Sequence, residues 1–311
     1  MRTDAIVLEE PRALGVRQVE LTEPGESDVV VDMLWSGIST GTEKLLWSGE
    51  MPWFPGFGYP LVPGYEGVGI VADAGPASPL SRGQRVFVPG ATCFADARGL
   101  FGASAARLVV PSQRVTPVDE ALGERAVLLS LAATAQHAIS SSPQAGPTLI
   151  VGHGVLGRLL ARLLIARGDE PPTVWESQRE RQSGSDDYIV CQSTDDACSD
   201  YATVFDASGD VTVIDLVTPR IRHHGEIVLG GFYAVPVAFN YPQAFMREAR
   251  IRIAAEWQPE DLAEVMRLLD TGTLSLNGLI SHRADVRDAA SAYEVAFEDP
   301  RCTKMILAWR H

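Results

Sequence analysis

The residues best suited to chemistry lie in Gly152-His153-Gly154-Val155-Leu156-Gly157, a G-x-G-x-x-G run entered directly from the apolar stretch Thr148-Leu149-Ile150-Val151. This arrangement predicts dinucleotide binding. Gly152 permits the tight turn, Gly154 lets a pyrophosphate approach the backbone, and Gly157 lets the next helix pack against the strand. Val155 and Leu156 open that helix, whose unpaired N–H groups and positive dipole end suit phosphates. Glu176, about twenty residues past the glycines, ends the short strand Thr173-Val174-Trp175, where a carboxylate can hold a ribose diol. A plain glycine-rich turn would explain the glycines, but not a strand, a helix and an acid all in register. Ala207, Ser208 and Gly230 end two further strand patterns, where open α/β sheets hold their ligands. The expected cofactor is NAD, because a 2′-phosphate at Glu176 would meet like charge. Arg179 and Arg181 are the counter-evidence, since arginine often holds that phosphate.

Other polar candidates carry less. His137 lies on a helical pattern and can shuttle a proton, with a hydrogen-bonded structural role as the competing reading. His153 is expected to face the cofactor or solvent. His223-His224 reads as an exposed turn before Gly225, and His282 as a residue that positions backbone. Glu43 and Lys44 read equally as an ion pair or as an acid/base pair. The four cysteines, Cys93, Cys191, Cys198 and Cys302, form no C-x-x-C pair, so neither a zinc ribbon nor a redox dithiol is expected.

These residues need a scaffold. From Met1 to Pro117 short strand patterns alternate with Gly and Pro breakers. The clearest are Ala5–Leu8, Val29–Leu34, Gly67–Val71, Arg85–Val88 and Ala106–Val110, the texture of a small irregular β-barrel. From Asp119 to Ser142 apolar residues take helix spacing. After Glu176, strands at Tyr188–Val190, Thr203–Asp206 and Glu226–Leu229 and a helix at Val211–Val217 continue an α/β alternation. The polar stretch Ser177–Asp187 leaves the second crossover helix short or missing. Past Pro259 come a helix over Glu260–Leu269, a strand, a helix through Ala289, Tyr293 and Phe297, and a final strand, Lys304–Trp309. The fold class is therefore α/β, a β-rich region plus a doubly wound parallel sheet.

Composition narrows the function. With 311 residues, 46% apolar and 21% charged, the chain has the balance of a soluble globular protein of two domains. A net charge of -14 argues against nucleic acid and anionic lipid as partners. No apolar run has the length of a membrane span, and Met1-Arg2-Thr3-Asp4 enters a strand pattern directly, so cytoplasmic residence is expected. The sequence leaves open whether the chain forms a homo-oligomer.

The chain resembles the medium-chain dehydrogenase/reductase superfamily over essentially its whole length. Pro63-Gly64-Tyr65-Glu66-Gly67-Val68-Gly69 is similar to that family's P-G-H-E-x-x-G, and Gly83-Gln84-Arg85-Val86 to its G-D-R-V. The tail from Leu279-Ile280-Ser281-His282-Arg283 to Lys304-Met305-Ile306-Leu307 resembles its closing segment. The resemblance implies a GroES-like catalytic domain built from 1–133 and 256–311, with a Rossmann domain over 134–255. It also implies three zinc-ligand positions, and this sequence departs from the pattern at each. They hold Ser39 in place of a cysteine, Tyr65 in place of a histidine, and the Ser130-Leu131-Ala132-Ala133 stretch. Zinc wants thiolate, imidazole or carboxylate, so no metal is expected and hydrogen-bond donors must polarise the substrate oxygen. Thr42 as a hydroxyl relay, Tyr65 and Ser39 are the candidate proton-handling residues, with Glu66 orienting the loop around them. A tyrosine with an ordinary pKa near 10 needs a neighbouring cation to serve as a base at neutral pH.

Within the superfamily, Ser36-Gly37-Ile38-Ser39-Thr40-Gly41-Thr42-Glu43-Lys44 and the aromatic run that follows are similar to members that act on a bacteriochlorin in bacteriochlorophyll biosynthesis. Those members oxidise its 3-(1-hydroxyethyl) group to 3-acetyl. Trp47, Trp53, Phe54, Phe57 and Tyr59, interrupted by Pro52, Pro55, Gly56 and Gly58, would then form one wall of a wide cleft for the tetrapyrrole face. Aromatic faces stack on such rings for about 0.5–1.5 kcal/mol each beyond area burial. The competing reading is that these rings only cover one end of the barrel. The other functions kept open are a zinc-independent NADPH quinone or enone reductase and a non-catalytic dinucleotide-binding protein.

Overall fold

Each of the N-terminal β-branched runs becomes a strand in the computed structural model, which describes residues 1–142, 145–185 and 187–309. The chain divides into two units: Met1–Ser130 with Ile280–His311, and Leu131–Leu279. The first 130 residues supply β1 (Arg2–Glu10), β2 (Ala13–Glu20), β3 (Asp28–Ile38), α1 (Thr42–Ser48), β4 (Leu61–Val62), β5 (Gly67–Ala74), β6 (Arg85–Val88), β7 (Arg98–Gly99), β8 (Arg107–Pro111) and β9 (Thr116–Pro117). Next come α2 (Leu129–Ser140), β10 (Thr148–Val151), α3 (Val155–Ala166), β11 (Thr173–Trp175), β12 (Ile189–Cys191), β13 (Tyr201–Asp206), α4 (Val213–Val217), β14 (Ile221–Leu229), α5 (Tyr241–Arg247), β15 (Arg250–Ile253) and α6 (Pro259–Asp270). The tail adds β16 (His282–Asp285), α7 (Ala289–Glu298) and β17 (Met305–Ala308).

In the unit made from both chain ends, a sheet β16-β17-β3-β5-β6-β9, with β8 also on β3, packs with a smaller sheet, β2-β1-β4-β7. The C-terminal strand β17 lies antiparallel to β3, pairing Met305 with Ile38 and Leu307 with Ser36. Ile6, Val31, Met33, Val86, Leu108, Tyr293 and Leu307 are fully buried in its core.

The other unit is a parallel six-stranded sheet in the order β12-β11-β10-β13-β14-β15. This is the doubly wound order with its reversal at β10, and such sheets bind ligands beyond the C-terminal strand ends at that reversal. Leu159, Leu160, Leu163 and Leu164 bury one face of α3, each worth roughly 1.5–3 kcal/mol. Among the described residues between β11 and β12 the only helical element is the short 3₁₀ turn Arg179–Arg181, as the polar composition there predicts. No described helix is long and apolar enough to cross a membrane.

Three expectations about elements need correction. The segment 256–279, expected in the catalytic domain, packs in the nucleotide unit instead. Asp261 on α6 accepts from Ser140 on α2, and Arg162 on α3 donates to the carbonyls of Ser275 and Asn277. The Asp119–Ser142 pattern is not one helix: Gly123, at φ +54, interrupts a 3₁₀ stretch over Glu120–Leu128 before α2 begins. Trp47, grouped by the sequence with the Pro- and Gly-interrupted aromatic run, lies instead in the last turn of α1, which stops at Gly49 in a left-handed conformation.

Candidate functional site

In the nucleotide unit the fingerprint has the expected mechanics. Gly152 sits at φ +98, and a Cβ there would press on the backbone of Ala207 and Ser208, each 3.1 Å away. A Cβ on Gly157 would collide with the Gly152 carbonyl oxygen. At Gly154, by contrast, a Cβ would meet nothing within 4 Å, which is the open approach a pyrophosphate needs. Gly154 is also the N-cap of α3 and brings no side chain to its N–H groups, so the turn at Val155, Leu156 and Gly157 has donors to offer. Gly230 comes beside Leu156. The predicted cofactor residues thus converge on the strand ends at the sheet's reversal, and they fit a dinucleotide.

Glu176 reaches the same place, but it is buried and already engaged. Its two carboxylate oxygens accept the backbone N–H groups of His153 (2.9 Å) and Gln178 (2.7 Å). His153 does not face cofactor or solvent. It is fully buried, with Nδ1 2.6 Å from the Arg181 carbonyl oxygen and Nε2 2.8 Å from the Tyr188 hydroxyl. Burial, with Arg158 nearby, lowers its pKa to about 4. Arg158 donates to the carbonyls of His153, Arg181, Ser183 and Gly184 and so ties down the loop that replaces a crossover helix. Arg179 is exposed and Arg181 half-buried. Asp206, which sequence reasoning did not single out, ends β13 fully buried. It accepts from the Ser208 N–H and hydroxyl and from the Tyr233 hydroxyl, and burial raises its pKa.

In the other unit Ser39, Thr42 and Tyr65 come together. The Tyr65 hydroxyl lies 2.5 Å from Ser39 Oγ and 3.5 Å from Thr42 Oγ1. Three elements set this up. β3 delivers Ser39 just past its end, α1 begins at Thr42, and Gly64, at φ +98, turns the chain into Tyr65. Phe101 meets the Tyr65 ring edge-on at 5.1 Å. Tyr65 does not have the setting of a base. Burial first, and then the Glu66 charge, push its pKa above the ordinary tyrosine value, which keeps the phenol neutral. Beneath these hydroxyls Glu66 is fully buried and pairs with Lys304, whose ammonium also donates to the Ile38 carbonyl at 3.0 Å.

Glu43 and Lys44 are neither an ion pair nor an acid/base pair, because consecutive residues on α1 point to different sides. Lys44 donates to the Phe297 carbonyl. Glu43 is fully buried, accepts from the Ser39 N–H (3.0 Å) and the Tyr293 hydroxyl (2.6 Å), and is raised to about 7 by burial. Sequence reasoning missed Lys304 and Tyr293 as site residues; no local pattern marks them.

The aromatic run separates into parts. Phe54, Phe57 and Tyr59 pack on Leu46, Met51 and Leu61, with Phe54 and Phe57 stacked at 5.7 Å and the Tyr59 hydroxyl on the Leu46 carbonyl. Trp47 is held between Phe297 and the Arg12 guanidinium. Trp53 alone of the five projects outward, 78% exposed. The expected continuous wall is therefore one free indole above a half-buried ring cluster. His137 takes the structural role, 2.9 Å from Asp261. His282 contacts the Ser281 hydroxyl. His223 and His224 are exposed as expected, but they lie on a bulged β14 rather than in a turn.

Residues 25–120 match the alcohol dehydrogenase GroES-like domain. Over the whole chain and 99% of its own length, the 2-desacetyl-2-hydroxyethyl bacteriochlorophyllide A dehydrogenase of Cereibacter sphaeroides is 54% identical. This chain belongs to the medium-chain dehydrogenase family. The protein of the same description from Rhodobacter capsulatus is 51% identical, again over 100% of this chain and 99% of that protein. Among solved structures, an Escherichia coli CFT073 alcohol dehydrogenase complexed with NADH superposes with a TM-score of 0.84 at 21% identity, covering 99% of each chain. The family's GroES-like and Rossmann architecture is the one described above.

Proposed function

We propose that this protein oxidises the 3-(1-hydroxyethyl) group of a bacteriochlorophyllide to 3-acetyl, with NAD, in bacteriochlorophyll a biosynthesis. The observation that carries the reading is full-length similarity to two dehydrogenases named for that substrate. The site's chemistry agrees with it. A secondary alcohol gives up a hydride from carbon and a proton from oxygen, and bound NAD supplies the hydride acceptor. Gly154 and the first turn of α3 hold the pyrophosphate, and Glu176 receives the ribose hydroxyls. A 2′-phosphate would meet the Glu176 charge, so NAD is preferred to NADP.

Ser39, Thr42 and Tyr65 receive the alcohol oxygen and fix its orientation. Because Tyr65 stays neutral, the alcohol proton moves onto its oxygen only as the phenol's own proton moves to Ser39 or Thr42 and that hydroxyl gives up its own proton in turn to solvent water. Trp53 stacks on the macrocycle face. The reaction proceeds without catalytic zinc, since Ser39, Tyr65 and Ser130 offer neutral hydroxyls and Lys304 already engages Glu66. The proposed location is the cytoplasm. Incubating the protein with NAD and a 3-(1-hydroxyethyl) bacteriochlorophyllide tests the whole reading. NADH should form as the pigment's absorption band shifts, and chelators should leave the rate unchanged. No NADH from protein that still binds NAD would refute the assignment.

A further inference from the structure

A separate cluster of metal-type donors lies on the nucleotide unit at His223, His224 and Glu248. Among the described residues it is the one group of three such side chains within mutual reach. Its origin is a bulge. Between the pairs Tyr201–Ile221 and Thr203–Glu226, β14 carries more residues than β13, and the excess throws both imidazoles outward with ring centres 4.2 Å apart. Glu248 caps α5 just before β15, the strand beside β14. Its carboxylate oxygens lie 3.5 Å from His223 Nε2 and 3.3 Å from His224 Nδ1.

An ordinary surface ion pair falls short as an explanation. Exposed histidine–carboxylate pairs are worth about 0–1 kcal/mol and hold side chains loosely. Yet among the described residues Arg12, His224 and Glu248 are the only non-glycine positions with positive φ, and two of them are in this cluster, at +62 and +44. Such conformations cost of order 1–3 kcal/mol each. The donors are also close enough to close on one ion: one nitrogen from each imidazole and one carboxylate oxygen lie within 4.8 Å of one another, and bonds of about 2.0–2.1 Å in a tetrahedron draw donor atoms to about 3.3 Å.

We infer that His223, His224 and Glu248 form a surface site for a borderline divalent cation, zinc by donor chemistry, in which two imidazoles and a carboxylate leave one position for water. The site lies towards the start of β14. Gly230, at the nucleotide end, is six residues on from His224, about 20 Å along a strand. The ion clips the β14 bulge to the end of α5 and takes no part in hydride transfer.

The test uses the full chain, stripped with chelator and titrated with zinc chloride in a calorimeter, alongside the exposed-residue variants His223→Gln and Glu248→Gln. The wild type should bind one zinc per chain with a rise in melting temperature. Each variant should bind at least about tenfold more weakly, since even loss of a residue that only supports a ligand costs 10–100-fold. NAD affinity should be equal in all three proteins. No saturable zinc binding by the wild type, or equal binding by all three, overturns the site.

Discussion

At Tyr65 the phenol touches two hydroxyls, and the next residue carries a carboxylate that already has a counter-ion. Removing only that hydroxyl, in Tyr65→Phe, should lower kcat by about 10²–10⁴, the usual contribution of a positioned proton-transfer group. NAD affinity should not change, because the cofactor residues belong to the other unit. Steady-state kinetics with a cofactor titration checks this, and an unchanged kcat removes Tyr65 from the proton path. Glu43 makes a different demand. Its carboxyl titrates near 4.5 in the unfolded chain and about 7 in the folded one. Between those values the unfolded chain loses the proton first. The group's contribution to stability is therefore full below pH 4.5 and is lost as pH rises through 7. Glu43→Gln should flatten this part of the melting temperature–pH curve. A curve of unchanged slope would show that Glu43 titrates alike in the folded and unfolded chains.

The loop between α1 and β4 buries most of its aromatic surface and leaves one ring out. Trp53 is 78% exposed and Phe57 sits on the Leu46–Met51–Leu61 cluster. Trp53→Ala should leave the melting temperature within its error and raise KM for the bacteriochlorin, whereas Phe57→Ala should lose about 2–3 kcal/mol of stability. Thermal melts and kinetics on both variants separate the roles, and an unaltered KM in Trp53→Ala rules out stacking there. This division was not legible in the sequence, which shows aromatic residues and breakers but not which ring faces inward. α1 was hidden for a related reason. At seven residues it is too short for periodicity to register, although Gly49 at its end is a recognisable stop. The β10–α3 fingerprint, by contrast, was legible as a turn, because Gly152 there takes a positive φ and Gly157 packs on the Gly152 carbonyl within the same turn. His153 was misread because its partners, Arg181 and Tyr188, come from a loop without a pattern.

At the scale of the whole chain, one unit is closed by its two ends, and the closure runs through Lys304 and Glu66. Periodicity could not reveal this; the family resemblance supplied the joining of the ends, and the structure supplies the charge pair. β17 aligns Met305 with Ile38, which brings the preceding Lys304 to Glu66 in a place where both are almost wholly removed from water. Such a pair repays its desolvation poorly, but half of it is much worse than none. Burial already raises the pKa of Glu66, and Lys304 is what opposes that rise. Lys304→Met should therefore cost about 3–5 kcal/mol, a large share of the stability of an ordinary domain. Adding Glu66→Leu to it removes the stranded carboxylate and should recover most of the loss, although the single change Glu66→Leu, which strands the ammonium, should be as harmful as Lys304→Met. Chemical denaturation of the two single variants and the double variant forms the necessary cycle. Losses that simply add would mean that the two side chains matter for their packing, and that the chain ends are joined by the β3–β17 ladder without help from the buried charges.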